Sequence, residues 1–174
     1  VVVIGGGVTA IDTATESLAY YPVQVEKFLA RYEALCKAEG RDIVESRWTS
    51  AEREIAAEFL AHARALRAER EIAAREARPA RIVELLQAWG GVTIAYRRRL
   101  IDSPSYTLNH EEVDKALEEG IWFAEGLTPV AIEVDADNRA RGLTVSAQHN
   151  DGDGVWHEYA RSTLPARTIL IAAG

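Results

Sequence analysis

Three consecutive glycines at positions 5–7 constrain the fold of this chain more than any other feature of its sequence. They follow a short apolar run, Val1 to Ile4, and precede a segment in which apolar residues recur every three to four positions. A continuous apolar run is typical of a parallel strand buried on both faces, and the later spacing is typical of a helix. The order strand, glycine turn, helix predicts the beginning of an α/β fold.

The turn and the first residues of the helix fit the dinucleotide fingerprint in the variant that ends in alanine. The first glycine permits the tight turn, and Gly7 lets a pyrophosphate approach the backbone because it has no side chain. The small residue Ala10 lets the helix pack closely on the strand, and the unpaired amides of the first helical turn face the anion. We therefore assign cofactor binding to the whole motif, Gly5, Gly6, Gly7, Val8, Thr9 and Ala10.

Residues 22–88 have a different composition, rich in alanine, glutamate and arginine. The first helix is expected to end near Pro22, because proline lacks the amide N–H that continues a helix. The sequence Thr49-Ser-Ala-Glu52 has the spacing of a capping box that opens a long helix. We interpret 22–88 as an all-helical insertion between two parts, 1–21 and 89–174, of one NAD(P)-binding domain.

From Gly90 onward the sequence again alternates between strand and helix patterns. Asn109 followed by Glu112 predicts the start of a helix, which Gly120 ends. Alternating apolar and polar residues predict an antiparallel meander over 129–135, 140–148 and 154–161. Parallel strands are predicted at residues 1–4, 92–96, 121–123 and 168–172. The predicted fold is α/β, a Rossmann-like three-layer domain with a parallel sheet, an antiparallel β-meander and the large helical insertion.

The predicted strand at 92–96 ends in Tyr96-Arg97-Arg98-Arg99, a stretch with no carboxylate. NAD-binding domains place an acidic residue for the ribose 2′-hydroxyl about 20 positions after the fingerprint. Guanidinium groups instead match the charge and the bidentate geometry of a 2′-phosphate. Solvated surface arginines are the alternative interpretation. A nucleic-acid interface is disfavoured, because the net charge of −7 opposes binding to a phosphate backbone.

Taken in order, these motifs resemble the NADPH-binding domain of the glutamate synthase small-subunit family of FAD-dependent pyridine nucleotide oxidoreductases. The resemblance covers 1–21 and 89–174. It rests on five segments: Gly5 to Asp12, Val92 to Arg98, Glu111 to Gly120, Pro129 to Ile132 and Ile169 to Gly174.

The resemblance implies that the chain binds NADP(H) and presents the nicotinamide to FAD, which the flavin domain of the same parent chain holds. By position it implies pyrophosphate contacts from Gly5, Gly7, Thr9 and Ala10, and 2′-phosphate contacts from Arg97 and Arg98. The hydride chemistry belongs to the two cofactors. No catalytic residue is therefore assigned, and the isolated domain is expected to be inactive.

Two other functions stay open. The fingerprint could hold the ADP half of FAD, although FAD sites usually place an acidic residue at the end of the second strand. Alternatively, the nucleotide fold could be a scaffold whose helical insertion binds a partner protein through an exposed apolar stripe. The two candidate stripes are Phe28, Tyr32 and Leu35, and Ile55, Phe59 and Leu66.

Several further expectations follow from single residues and from composition. The only cysteine, Cys36, fits a reducing, cytoplasmic compartment, and no apolar run approaches the length that spans a bilayer. The four histidines are scattered without the spacing of a metal site. Asp12, Ser103, Ser105 and Tyr106 are further candidates for contact with the nucleotide. Both ends of the chain read as core strands and no methionine occurs, so we expect a domain excised from a longer protein.

Overall fold

A computed structural model describes residues 1–152 and 154–173. Asp153, in a predicted turn, and Gly174, in the predicted closing motif, lie outside the described residues. The chain divides into two compact units. The α/β unit consists of Val1–Leu18 and the chain from Leu86 onward, and the helical unit is Ala19–Leu85.

The α/β unit contains two sheets. Its strands are β1 (Val2–Ile4), β2 (Thr93–Ala95), β3 (Trp122–Ala124), β4 (Leu127–Val134), β5 (Ala140–Asn150), β6 (Trp156–Pro165) and β7 (Ile169–Ile171). Four of them form a parallel sheet in the order β3-β2-β1-β7, and the other three form an antiparallel sheet in the order β4-β5-β6. The predicted α/β fold class is confirmed, with the parallel sheet, the meander and a large helical region.

The core of the α/β unit explains why the parallel strands are continuous apolar runs. Val3 and Ile94, on the two central strands β1 and β2, are completely buried. Val2 and Ala95 pack against Leu143 and other buried residues of the meander. Both faces of the parallel sheet therefore exclude water, so every position along these short strands favours an apolar side chain.

The helices are α1 (Val8–Glu39), α2 (Arg41–Ser46), α3 (Ser50–Arg75), α4 (Ile82–Ala88) and α5 (Pro104–Glu118). The predicted capping box is confirmed at the start of α3, where the Thr49 side chain accepts from the Glu52 N–H and the Glu52 side chain accepts from the Thr49 N–H. In the part of the chain that the structure describes, no helix is both long and apolar enough to cross a membrane.

The prediction that the first helix ends near Pro22 is wrong, because α1 continues to Glu39. A proline inside a helix costs about 3 kcal/mol. Val25 and Leu29, which follow on α1, are almost completely buried. Burying a side chain of this size contributes about 1.5–3 kcal/mol, so packing within the helical unit outweighs the missing hydrogen bond.

The predicted helix start at Asn109 is confirmed in part. The backbone of Asn109 leaves helical geometry with φ −156° and ψ 53°, and this kink divides α5 into two helical stretches, the second of which follows Asn109. The prediction missed the first stretch, which begins at Pro104 with the Ser103 side chain as its N-cap. Serine followed by proline is itself a strong N-terminal signal, which explains the earlier start. The predicted end is confirmed, since Gly120 adopts φ 94° and the Ile121 N–H donates to the Ala116 carbonyl.

The helical unit is held together by its own aromatic and charged side chains. Phe28 contacts both Trp48 and Phe59, with ring centroids 6.3 and 5.9 Å away. Tyr32 and Leu66, each from one of the two predicted stripes, are buried. One residue of each stripe is therefore part of the core of this unit, whereas Leu35 and Ile55 are exposed at 44% and 37%.

Candidate nucleotide-binding site

The glycine turn follows β1 and the arginine run follows β2, and these two strands are neighbours in the parallel sheet. The register of β1 and β2 pairs Ile4 with Ala95, and the Gly5 N–H donates to the Ala95 carbonyl at 3.2 Å. The strand order also reverses at β1, which has β2 on one side and β7 on the other. In open parallel sheets, ligands bind at the carboxyl ends of the strands beside such a reversal.

The three glycines of the turn have different surroundings. A Cβ atom on Gly5 would lie 2.5 Å from the Ala172 carbonyl oxygen and 2.9 Å from the Cβ atom of Ala10, and one on Gly6 would overlap the ring of Tyr96. A Cβ atom on Gly7 would have no neighbour within 4 Å. The first two glycines therefore permit close packing, whereas the third borders open space.

The open space at Gly7 lies at the N-terminus of α1. The Gly7 carbonyl accepts from the Ala10 N–H at 2.9 Å and from the Ile11 N–H at 3.4 Å, so the N–H groups of Val8 and Thr9 have no acceptor inside the helix. The first turn of α1 carries no acidic residue. Free amides at the positive end of a helix, without a competing carboxylate, fit a phosphate group.

Arg97 and Arg98 follow β2 and are exposed. Within the described residues neither side chain forms an ion pair, in contrast to Arg99, which binds both carboxylate oxygens of Asp102 at 2.8 and 2.9 Å. The Arg99 guanidinium holds the pKa of the Asp102 carboxyl below its ordinary value. This loop therefore keeps two guanidinium groups available, while its own carboxylate, Asp102, is neutralised by Arg99.

The backbone of the arginine loop is fixed by the segment that connects β3 to β4. The Gly126 N–H donates to the Arg98 carbonyl at 3.1 Å, and the Leu100 N–H donates to the Glu125 carboxylate at 2.5 Å. Gly126 has φ 66°, and a Cβ atom there would overlap the carbonyl oxygen of Gln148. Because these bonds hold the loop in place, a ligand of Arg98 would meet a preorganised backbone.

A groove of about 720 Å³ opens beside Arg98. Its far wall is the end of the β5–β6 hairpin, including Gln148 and Trp156, which is some 50 residues away in sequence. The volume lies within the range of about 300–1,000 Å³ that is typical of small-ligand sites. No sequence motif indicated this groove, because it depends on the pairing of the meander with the loop after β2.

The other predicted contact residues are placed differently. Ser103 and Ser105 are buried, at 0% and 1% exposure, and Ser105 bonds to the Gly6 carbonyl, so both are removed from contact with a ligand in solution. Asp12 is exposed on α1, and Tyr106 is half-buried. Among residues 1–152 and 154–173, no group of three or more histidine, cysteine, aspartate and glutamate side chains is placed to hold a metal ion.

Known proteins similar to this chain fall into two groups. Over 136 residues, or 78% of its length, the chain is 40% identical to Uncharacterized protein RP006 of Rickettsia prowazekii (strain Madrid E), of which it spans only 17%. Compared with known protein families, the chain matches none.

The second group consists of solved structures. A mutant of FprA from Mycobacterium tuberculosis aligns with 98% of this chain and 38% of its own, at 15% identity and a TM-score of 0.41. FprA in complex with NADPH aligns with 98% of this chain and 37% of its own, at 14% identity and a TM-score of 0.39. Likeness at this level says nothing about what this chain binds.

Proposed function

We propose that the chain binds NADP(H) and belongs to a flavoprotein oxidoreductase, in which it presents the nicotinamide to FAD held elsewhere in the parent protein. One observation supports this above all. Gly7, which borders open space, follows β1, and Arg97 and Arg98, which form no ion pair within the described residues, follow the adjacent strand β2. The order of the motifs favours the glutamate synthase small-subunit family among such enzymes.

The residues fit the two anionic parts of the cofactor. The pyrophosphate would be held at the N-terminus of α1 by the amides of Gly7, Val8 and Thr9, and the 2′-phosphate by Arg97 and Arg98. Bound NADPH supplies a hydride, and the chain contributes binding and orientation. Gly5, Gly6 and Ala10 take part indirectly, because they let β1, α1 and β7 approach one another closely enough to form the turn.

The two alternatives are less well supported. An FAD site would need a carboxylate near the end of β2 for the ribose. Asp102, the first carboxylate after β2 in the sequence, is bound by Arg99 through both of its oxygens, and the Glu125 carboxylate accepts from the Leu100 N–H. The scaffold hypothesis would need a continuous exposed apolar stripe on the helical unit, and the two candidate stripes are interrupted, since Tyr32 and Leu66 are buried while Leu35 and Ile55 are exposed.

The test is a calorimetric titration of the chain with NADPH and with NADH. We expect tighter binding of NADPH. Replacing Arg97 and Arg98 together with alanine should weaken NADPH binding by about 2–4 kcal/mol, because each charge-assisted contact contributes about 1.5–3 kcal/mol and the two are not additive. Binding of NADH should barely change.

A matched control removes two exposed arginines of the helical unit, Arg31 and Arg64. This control makes the same change in net charge and should leave both affinities unaltered. Equal losses for both nucleotides in the Arg97→Ala/Arg98→Ala variant would contradict the 2′-phosphate assignment. If the wild-type chain binds neither nucleotide, the proposed function is wrong.

A further inference from the structure

A buried serine of the α/β unit, Ser105, bonds to the glycine turn, and a second buried serine, Ser103, contacts Ser105. The N–H and the Oγ of Ser105 both donate to the Gly6 carbonyl, each at 3.0 Å. The Oγ of Ser103 lies 3.1 Å from the Oγ of Ser105 and accepts from the Tyr106 N–H at 3.2 Å. Both serine side chains are essentially inaccessible to solvent.

The direction of this hydrogen-bond chain follows from counting hydrogens. A serine hydroxyl has one hydrogen to donate. Ser105 uses its hydrogen on the Gly6 carbonyl, so the contact between the two hydroxyls must be a donation from Ser103 to Ser105. The resulting chain runs from the Tyr106 N–H through Ser103 and Ser105 to the Gly6 carbonyl, and each bond in such a chain polarises the next.

We propose that Ser105, supported by Ser103, is a positioning residue that orients the Gly6–Gly7 peptide for binding of the nucleotide pyrophosphate. The inference rests on the proposed function. In a planar trans peptide the carbonyl and the N–H point in opposite directions. Because Ser105 holds the Gly6 carbonyl, the Gly7 N–H points away from the serines, and Gly7 itself borders open space where its Cβ atom would lie.

The Gly6–Gly7 peptide is also constrained by the side chain of Tyr96. Its ring packs so closely on Gly6 that a Cβ atom there would overlap it. Gly6 is buried between this ring and the serine hydroxyls, so the peptide has little freedom to rotate. Without the Ser105 hydroxyl, the carbonyl would keep only the bond from the Ser105 N–H, and the orientation of the Gly7 N–H would be less strictly fixed.

The experiment compares Ser105→Ala with Ser146→Ala in the full chain. Ser146 is also a buried serine of the α/β unit, but its hydroxyl donates to Glu158 at 2.6 Å, in the meander. We expect Ser105→Ala to weaken NADPH and NADH alike by about three- to tenfold, the value of one neutral hydrogen bond. The ratio of the two affinities should stay constant, because both nucleotides contain the pyrophosphate. Ser146→Ala should change neither affinity.

A second measurement does not depend on the nucleotide. In the unliganded protein, the amide resonance of Gly7 should shift in Ser105→Ala and stay in place in Ser146→Ala. If Ser105→Ala does not fold, Ser103→Ala takes its place, since it keeps both bonds from Ser105 to Gly6 but removes the donor behind them. It should give a smaller loss for both nucleotides.

The outcomes separate the inference from the proposed function. If the wild-type chain binds NADPH but Ser105→Ala, or Ser103→Ala in its place, binds both nucleotides at wild-type strength, the positioning role is wrong and the proposed function stands. If the variant weakens NADPH alone, the serines act on the 2′-phosphate and the inference is overturned. If the wild-type chain binds neither nucleotide, the proposed function fails and the positioning role fails with it.

Discussion

The α/β unit and the helical unit differ in whether backbone groups or side chains make the contacts that join their parts. In the α/β unit the glycine turn, the arginine loop and the parallel strands are joined mainly through backbone groups, and every glycine of the chain except Gly40 belongs to this unit. In the helical unit the contacts are between side chains, such as the pair Arg67 and Glu33 and the aromatic contacts of Phe28.

This difference determines how each unit responds to substitution. An ion pair between exposed side chains contributes at most about 1 kcal/mol, so one pair can be lost without unfolding the helices. At a position where the backbone leaves no room for a side chain, no other residue can replace glycine. We therefore expect nucleotide affinity to depend on a few positions of the α/β unit, and changes in the helical unit to affect stability alone.

The largest expected effect is at Gly7. Gly7→Val should place a branched side chain where the pyrophosphate approaches, and so remove about 3–6 kcal/mol of binding energy for both NADPH and NADH, equal to two charge-assisted contacts. The fold should persist, since a Cβ atom at Gly7 meets no neighbour and its φ is not positive. Calorimetric titration and thermal unfolding measure the two effects.

The contrasting variant is Gly6→Ala. Its Cβ atom would overlap Tyr96, so the temperature of unfolding should fall. A folded Gly7→Val protein that binds NADPH as tightly as the wild type would show that the glycine turn is not the pyrophosphate site.

The next effect concerns the helical unit. Leu66 on α3 is completely buried, and Leu66→Ala should destabilise this unit by about 2–5 kcal/mol through lost transfer energy and the cavity left behind. Nucleotide affinity, measured at a temperature where the variant is folded, should not change. Leu35→Ala, at a side chain 44% exposed, is the control and should cost much less stability.

A fall in NADPH affinity in Leu66→Ala would contradict the expectation that changes in the helical unit affect stability alone. It would mean that the core of the helical unit contributes to the nucleotide site.

The smallest effect is a dependence on pH within the helical unit. Arg78 binds the Glu69 carboxylate and the Arg81 N–H donates to it at 2.8 Å, which lowers the pKa of Glu69 from 4.5 to about 2. A lowered pKa in the folded state stabilises the protein above the ordinary pKa, and this stability is lost as the pH falls from about 4.5 towards 2.

Scanning calorimetry checks this dependence. The melting temperature of the helical unit should fall less between pH 5 and pH 2 in Glu69→Gln than in the wild type, because the variant has no carboxylate to protonate. At neutral pH the variant should be slightly less stable. Identical pH profiles would show that Glu69 does not contribute to the acid sensitivity of this unit.

The features predicted from sequence are those that neighbouring residues determine. The strand before the glycine turn, the capping box at Thr49 and the helix end at Gly120 each depend on a few consecutive residues. The two missed features have different causes. Helix α1 continues past Pro22 into a stretch where Val25 and Leu29 are buried, and a single sequence does not reveal that burial. The first stretch of α5 was a missed local signal, because Ser103 and Pro104 together start it.

The candidate site shows the same division. The glycine turn and the arginine run were recognisable because their chemistry requires particular residues at short spacing. The bond from Ser105 to Gly6 joins residues 99 positions apart, and nothing in the local sequence distinguishes Ser105 from a solvent-exposed serine. The different surroundings of the three glycines were equally hidden, since Gly5 meets Ala172, Gly6 meets Tyr96 and Gly7 has no neighbour within 4 Å.

The different surroundings of the three glycines determine which of them can be replaced first during evolution. A lineage that no longer requires the nucleotide can accept alanine or serine at Gly7 at once, because no neighbour resists the new side chain. The same mutation at Gly5 or Gly6 would be removed by selection for folding. A descendant that keeps the first two glycines and has lost the third is therefore expected to retain the sheet and to have given up the cofactor.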